Sequence, residues 1–462
     1  MFAKVSFEKG TVLVRGDVHV PNSSWDSRLG AYRGMAVYYR DIIEYLKRSS
    51  IQHEDEVLDL LPCPPLRCKV SMRSYQKAAL NAWLKAGKRG VIVLPTGSGK
   101  TIIAVGAIEK INAPAIVVVP TLDLVEQWRR VLSEQFDVEV GTYGGGENIL
   151  KALTVSTYDS AYLRVEELGN RFALIVFDEV HHLPSAGFRH IAEMFASPYR
   201  MGLTATYERD DGLHLELPRL VGGKVYELAV QDLAGRHLSE YDLERIHVDL
   251  TPEEKAEHDR QHKVFTDYLS SRRLVLRTPT DFTRFIMRTG RDPAAREALL
   301  ARNRAMDIAL NSQSKLEVLK KILLENPSDL TIIFTQHNKL VHRITRDLLI
   351  PCITHMTPKD ERTEILDNFR DGKYRLVVTS KVLDEGVDVP DATRAVILSG
   401  TGSSREFIQR LGRILRKREG KRAKLVEIVS RETAETGMSW RRKRKWREDA
   451  SVKPSDSQIA SR

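Results

Sequence analysis

Apolar residues follow two different rhythms along this chain. In residues 1 to about 65 the pattern is mixed. Lys4 to Gly16 alternates apolar and polar positions around Gly10, which predicts a hairpin of half-buried strands. Tyr32 to Tyr45 repeats apolar residues at helical spacing and predicts a helix. Leu61-Pro62-Cys63-Pro64-Pro65 reads as a linker. From residue 66 onward, short strands alternate with helices. Val91 to Leu94, Ala115 to Val119 and Leu174 to Phe177 are β-branched, continuous runs of the kind found in strands covered on both faces. Leu330 to Phe334, Tyr374 to Thr379 and Ala395 to Leu398 form a second set. Two such sets predict an α/β protein with two doubly wound parallel sheets, over residues 66–235 and 236–435, preceded by a small α+β module.

Residues 255 to 310 interrupt the second set. Arg260, Lys263, Arg272, Arg273, Arg277, Arg284, Arg288 and Arg291 dominate there, with Phe265, Tyr268, Phe282 and Phe285 among them. This predicts a helical insertion with a basic face. The competing reading is a helical linker whose charges are simply solvated. The last residues, 436–462, carry Arg441-Arg442-Lys443-Arg444-Lys445-Trp446-Arg447 and predict a basic, mobile tail able to touch nucleic acid.

Composition changes this picture only a little. A chain of 462 residues exceeds one core and suits three or four units. The formal charge of +10 favours a polyanionic partner. Cys63, Cys68 and Cys352 lack the companions a zinc site needs and read as reduced thiols, so no zinc is expected. Met1-Phe2-Ala3-Lys4 does not begin a signal peptide, and no apolar run is long enough to cross a bilayer. The expectation is an intracellular protein with no membrane partner.

The chemistry is concentrated in a few motifs. Pro95-Thr96-Gly97-Ser98-Gly99-Lys100-Thr101 follows a strand and opens a helix. Its glycines let backbone N–H groups turn toward phosphate oxygens. Lys100 adds a charge near the β and γ phosphates, and Thr101 offers a hydroxyl to Mg²⁺. Leu94 stands where the strict pattern has glycine. Asp178 ends an apolar strand, where its carboxylate can hold the metal through water, and Glu179 can orient and deprotonate the attacking water. His181 is expected to couple this site to Thr204-Ala205-Thr206. Upstream, Arg73 and Gln76 precede the loop, and a glutamine amide can pair with adenine. Arg413 and Arg416, three residues apart in Gln409 to Arg416, share a helix face and can stabilise charge on the transferred phosphoryl group; such fingers contribute roughly 10³ to 10⁵ in rate.

These motifs, taken in order, resemble those of superfamily-two helicases: Tyr75-Gln76, Gly97 to Thr101, Pro120-Thr121, Asp178-Glu179-Val180-His181, Thr204-Ala205-Thr206, Asp384 to Asp388 and Gln409 to Arg416. Val155 to Ser160, Phe177 to Leu183 and Gly202 to Gly212 are similar to the XPB family in its short archaeal-type form, and the likeness runs from Leu13 to Ile428. The resemblance implies two RecA-like motor domains, with Gly386 and Asp388 helping to bind ATP and Gln409 joining the catalytic set. It implies a 3′-to-5′ DNA helicase or translocase that uses ATP and Mg²⁺, works in nucleotide excision repair and promoter opening, and belongs in the nucleoid-associated cytoplasm. It also implies an N-terminal module resembling a mismatch-recognition domain, a thumb-like insertion near 255 to 310, and, in archaeal relatives, a nuclease partner. The family's Arg-Glu-Asp element falls on Arg209-Asp210-Asp211, with Asp210 in place of glutamate. Thr121, Thr157 and Thr379 lie near strand ends, where they are expected to meet DNA phosphates, as are Arg272, Arg273 and Arg277. The rival readings are a restriction-type translocase, an RNA helicase, and an ATP-gated clamp that remodels DNA without progressing along it.

Overall fold

The computed structural model describes residues 2–209, 211–233, 240–380, 392–399 and 422–437. They divide into two compact units, one ending at Leu233 and the other beginning with the strand at residue 240.

The first unit opens with a five-stranded sheet: β1 (Phe2–Glu8), β2 (Thr11–Arg15), β3 (Ser23–Asp26), β4 (Ala31–Met35) and β5 (Gln52–Glu56), in the order β3-β4-β2-β1-β5. The β1–β2 hairpin turns at Gly10, as its alternation predicts. The stretch expected to be helical from Tyr32 divides differently. Ala31–Met35 is a strand paired on both sides, by β2 and β3, and the helix runs from Tyr39 to Arg48. Ladder hydrogen bonds override helical spacing there, and Gly34 is tight: a Cβ would sit 2.7 Å from the carbonyl oxygen of Asn22. The Tyr39–Arg48 helix covers one sheet face through Tyr39, Ile42, Ile43 and Leu46, meeting Val5, Val12 and Val14.

The linker runs along the next sheet rather than standing free, since Leu61 N–H donates to Arg171 O. That sheet contains β6 (Arg89–Val93), β7 (Ala115–Val119), β8 (Val140–Gly144), β9 (Glu147–Asn148), β10 (Leu153–Thr157), β11 (Leu174–Asp178), β12 (Tyr199–Thr204) and β13 (Lys224–Glu227). Its order is β13-β6-β12-β11-β7-β10-β8-β9, parallel except for the short β9. Every residue of β7, β10 and β11 is buried, which explains why those runs are continuously apolar or small. Parallel pairing also brings the ends of β6, β11 and β12 to the same sheet edge.

The N-terminal sheet is fastened to this one. Arg40 Nη1 donates to Gly87 O at 2.5 Å, Arg89 reaches Val37 O, and Ala196 sits in the apolar cluster of the N-terminal sheet.

The second unit holds a six-stranded sheet, β14 (Glu240–Val248), β15 (Thr331–Phe334), β16 (Cys352–Ile353), β17 (Leu376–Thr379), β18 (Arg394–Ile397) and β19 (Arg422–Ser430), all parallel, in the order β14-β19-β18-β15-β17-β16. The insertion is three helices, Pro252–Ser271, Pro279–Arg288 and Pro293–Leu310. Each begins with proline after a capping Thr251, Thr278 or Asp292, so sequence fixes all three starts. Phe265, Tyr268, Phe282 and Phe285 pack together with Leu274, Leu276 and Ala295 as the core of the insertion. Its aromatics are therefore structural, and the arginines remain on the surface.

Candidate nucleotide site and its link to the charged loop

Strand β6 ends at Val93, and the chain turns through Pro95 to Gly99 into the helix Lys100–Ile111. Gly97 and Gly99 have φ of +82° and +79°, which only glycine adopts without strain. Gly99 is also crowded: a Cβ would lie 2.7 Å from Gln76 Nε2. The Gln76 amide is turned onto this loop. Nε2 donates to Ser98 O at 3.1 Å and Gly99 O at 3.2 Å, and Oε1 accepts the Arg73 N–H at 2.8 Å. Gln76 thus braces the phosphate loop and caps its own helix. Tyr75 OH donates to Ser98 O beside it. Lys100 Nζ lies along its own loop, 3.1 Å from Leu94 O. The Thr96 hydroxyl oxygen is buried and has no hydrogen-bond partner among the described residues.

Asp178 closes β11 beside this loop. Its Oδ2 accepts Trp128 Nε1–H at 2.8 Å and its Oδ1 accepts the Glu179 N–H at 3.0 Å. Burial, and then the neighbouring Glu179 carboxylate, push its pKa up to about 6. Glu179 itself is left-handed, with φ of +48°. A non-glycine residue in that region stores backbone strain, a recurring property of functional turns.

From Glu179 a polar chain runs outward. His181 is fully buried. Its Nδ1 lies 3.1 Å from Thr204 Oγ1 and 3.4 Å from Glu179 Oε2. Thr204 Oγ1 also donates to Thr206 O at 2.8 Å. A hydroxyl has one proton, so toward His181 it accepts, and this places the imidazole proton on Nδ1. Arg209 Nη1 donates to the main-chain oxygen of His181. The same guanidinium makes a bidentate pair with Asp211, at 2.9 and 2.6 Å, which holds the Asp211 carboxyl down at about 2.

The structure thus brings Thr96, Gly97, Ser98, Gly99, Lys100, Thr101, Asp178, Glu179, Thr204, Thr206 and Arg209 to one edge of one sheet. Thr121 follows β7 and Thr157 ends β10 at that edge, and both cap helices: Thr121 Oγ1 accepts Leu124 N–H and Thr157 Oγ1 accepts Ser160 N–H. Thr379 ends β17 in the second unit, its hydroxyl donating to Ser380 O. Arg272, Arg273 and Arg277 are exposed in the insertion. Asp210, Gly386, Asp388, Gln409, Arg413, Arg416 and the tail from residue 438 lie outside the described residues. Sequence reasoning missed Trp128, which comes from a helix distant in sequence and carries no motif, and it did not assign the contact of Tyr158, within Val155 to Ser160, whose OH donates to Asp178 O.

A phosphate loop and a paired-acid strand on one parallel sheet, with a second parallel sheet following, define a helicase-type NTPase motor. Three family models match: the Xeroderma pigmentosum group B helicase damage recognition domain over residues 5–57, the type III restriction enzyme res subunit over 69–209, and the helicase conserved C-terminal domain over 314–418. The chain is 49% identical over 431 residues to the DNA 3′-5′ translocase XPB2 of Sulfurisphaera tokodaii, covering 93% of this chain and 98% of that one. It is 30% identical to the DNA 3′-5′ helicase XPB of Mycobacterium tuberculosis, covering 81% of this chain and 63% of that protein. It is 26% identical to the XPB/SSL2 helicase/translocase subunit of general transcription and DNA repair factor IIH of Saccharomyces cerevisiae, covering 89% of this chain and 47% of that one. Among solved structures, the Hef helicase domain of Pyrococcus furiosus shares the fold, with a TM-score of 0.51 at 18% identity over 80% of this chain and 97% of that one. The chain belongs to the XPB family of helicases, which are ATP-driven. No helix among the described residues is long and apolar enough to cross a membrane.

Proposed function

We propose that this chain is an ATP-driven DNA translocase of 3′-to-5′ polarity that opens duplex DNA at single-strand/duplex junctions and serves nucleotide excision repair. The observation that carries this reading is the polar path from Glu179, whose Oε2 lies 3.4 Å from His181 Nδ1, through the hydrogen bonds of His181 to Thr204 and Arg209. It gives a hydrolytic carboxylate a direct mechanical connection to a charged surface loop, which a simple ATPase does not need.

In this reading Gly97 to Lys100 cradle the phosphates and Glu179 takes a proton from the attacking water. Thr101 and Asp178 are an all-oxygen set suited to Mg²⁺. Two adjacent carboxylates in a buried place also favour a cation, which the raised Asp178 pKa reflects. Bound there, Mg²⁺ would offset charge on the phosphate oxygens. Gln409, Arg413 and Arg416 act on the same phosphate from the second domain, and Gly386 and Asp388 help hold ATP. Arg73 and Gln76 help hold ATP, with the Gln76 amide available to adenine. Thr121, Thr157 and Thr379 hold the DNA backbone.

The domain assignments follow the same reading: a damage-recognition-like module over 1–65, motor domains over 66–235 and 236–435, the thumb-like insertion near 255 to 310, and a basic tail from 436. A nuclease partner and a nucleoid-associated location complete it, with no zinc and no membrane partner.

A second reading, translocation on duplex without strand separation, is favoured by the restriction-type match over 69–209. Strand displacement measured on forks with 3′ or 5′ tails, beside ATPase on single-stranded DNA, duplex and RNA, separates the two. Displacement only from 3′-tailed forks supports the first. DNA-stimulated ATPase with no displacement supports the second.

A further inference from the structure

The helix Leu122–Phe136 buries Val125, Trp128, Leu132 and Phe136 as a stripe along one face. Three of these side chains are purely apolar. Trp128 is not, because its indole carries an N–H, and a buried donor needs an acceptor. Packing alone would be served by leucine or phenylalanine at this place. The N–H points at Asp178 Oδ2, 2.8 Å away and 50 residues further along the chain.

The two oxygens of Asp178 are therefore held differently. Oδ1 accepts from the Glu179 N–H, its own neighbour, which moves with the turn. Oδ2 is tied to another element. Tyr158 adds a second tie of this kind, its OH donating to the main-chain oxygen of Asp178 at 3.1 Å. Both rings are fully buried. The helices that carry them share a further property: one is capped by Thr121 and the other by Thr157, the threonines that hold the DNA backbone under the proposed function. Trp128 lies two helical turns beyond Thr121, a span of about 10 Å through hydrogen-bonded helix. A packed helix of this kind carries a displacement at one end to the side chains along it. The route is separate from the one through His181, which leads from Glu179 to Arg209.

We propose that Trp128 is a positioning residue: its N–H fixes the Asp178 carboxylate, and the helix that carries it links DNA at Thr121 to the side chain that would hold Mg²⁺. The inference rests on the proposed reading of Thr121 as a DNA contact and of Asp178 as a metal ligand, but not on polarity, strand separation or repair. Such a link is reciprocal. Whatever DNA does to the affinity for Mg²⁺-nucleotide, Mg²⁺-nucleotide does to the affinity for DNA. Because the link ends on the metal-holding side chain, it should be present in Mg²⁺ and absent in EDTA.

The test is an equilibrium titration of the full chain with AMP-PNP and a forked DNA. In Mg²⁺, DNA should change AMP-PNP affinity by roughly five- to 150-fold, the usual range of such couplings, and in EDTA by less than about twofold. Trp128→Phe fills nearly the same space without the N–H. It should bring the coupling in Mg²⁺ below about threefold, while Kd for DNA alone stays within about threefold of the parent. Leu132→Val loosens the same buried stripe and keeps the indole bond. It should retain the parent's coupling, which a merely structural role for Trp128 would not allow. A measurement on the parent covers a variant that does not fold: of the five indole N–H signals seen by NMR, one should shift on adding DNA alone and also on adding Mg²⁺ and AMP-PNP alone. The inference is overturned if Trp128→Phe keeps the coupling, if Leu132→Val loses as much, if EDTA leaves the coupling unchanged, or if no indole signal answers both ligands. A parent that unwinds DNA without such coupling overturns the inference and leaves the proposed function standing. A coupled parent that does not move along DNA overturns the motor reading and leaves the role of Trp128 standing.

Discussion

Arg209 donates to the main-chain oxygen of His181, so the charged loop after β12 is attached to the turn that carries Glu179. Asp211 keeps that guanidinium in place through two parallel hydrogen bonds. An arginine held this way senses displacement of the turn. Arg209→Ala should leave most DNA-stimulated ATPase intact and reduce fork unwinding by roughly an order of magnitude, corresponding to about 1.4 kcal/mol of lost coupling. Asp211→Asn should act in the same direction more weakly. Both rates are measured on one preparation; a proportional fall in both, or in neither, contradicts the coupling.

Lys100 and Glu179 separate binding from turnover. Lys100→Ala removes charge beside the phosphates and should abolish ATP-dependent activity. Glu179→Gln keeps the shape and changes only the base, so ATP binding should persist while hydrolysis falls by roughly 10² to 10⁴. Nucleotide affinity by fluorescence titration, set against phosphate release, checks both. Near-normal turnover in Glu179→Gln excludes the assignment.

Asp178 predicts a pH dependence of the nucleotide-free protein. Its pKa rises from the ordinary 3.8 to about 6 on folding, through burial first and Glu179 second. The folded state therefore binds this proton more readily than the unfolded chain does. Its contribution makes stability fall as pH rises from about 4 to 6 and level off above, a change on the order of 1 to 3 kcal/mol. Denaturant midpoints from pH 4 to 7 should show this component in the parent and not in Asp178→Asn. The slopes are compared rather than absolute stability, because an asparagine amide turns N–H toward one of two donors, Trp128 or Glu179. Equal slopes would refute it.

Arg413 and Arg416 act in the transition state under this scheme. Arg413→Ala or Arg416→Ala should lower kcat by roughly 10³ or more, with nucleotide affinity changed far less. If single-turnover hydrolysis matches the parent in both, the arginines are structural.

What the sequence reveals and what it conceals divide along physical lines. Strands β7 and β11 were legible because a strand covered on both faces must be apolar throughout. The phosphate loop was legible because Gly97 and Gly99 need backbone angles only glycine supplies. Strand β4 was not, since its neighbours β2 and β3 determine it and local spacing points the other way. Gln76 was found, but its present partners were not, because an amide's choice of acceptors is set by atoms more than twenty residues away. Trp128 was invisible for the same reason: its indole meets Asp178 only through the fold. The His181–Thr204 bond was anticipated, whereas the Arg209 contact with the His181 backbone involves a carbonyl, which no sequence displays.

Ala196 sits in the apolar cluster of the N-terminal sheet while its chain neighbours lead into β12, the strand that ends at Thr204. The recognition module is consequently not a detachable cartridge. Removing residues up to the linker would strip Ala196 of its packing and leave the main-chain oxygen of Gly87 without Arg40. The two sheets should melt in a single transition, and a truncated motor should lose heat resistance along with its module. Under the proposed function, a lesion that strains the small sheet would press on the base of β12, whose far end, Thr204, is bonded to Leu94 before the phosphate loop, so inspection of DNA and consumption of fuel would share one piece of scaffold.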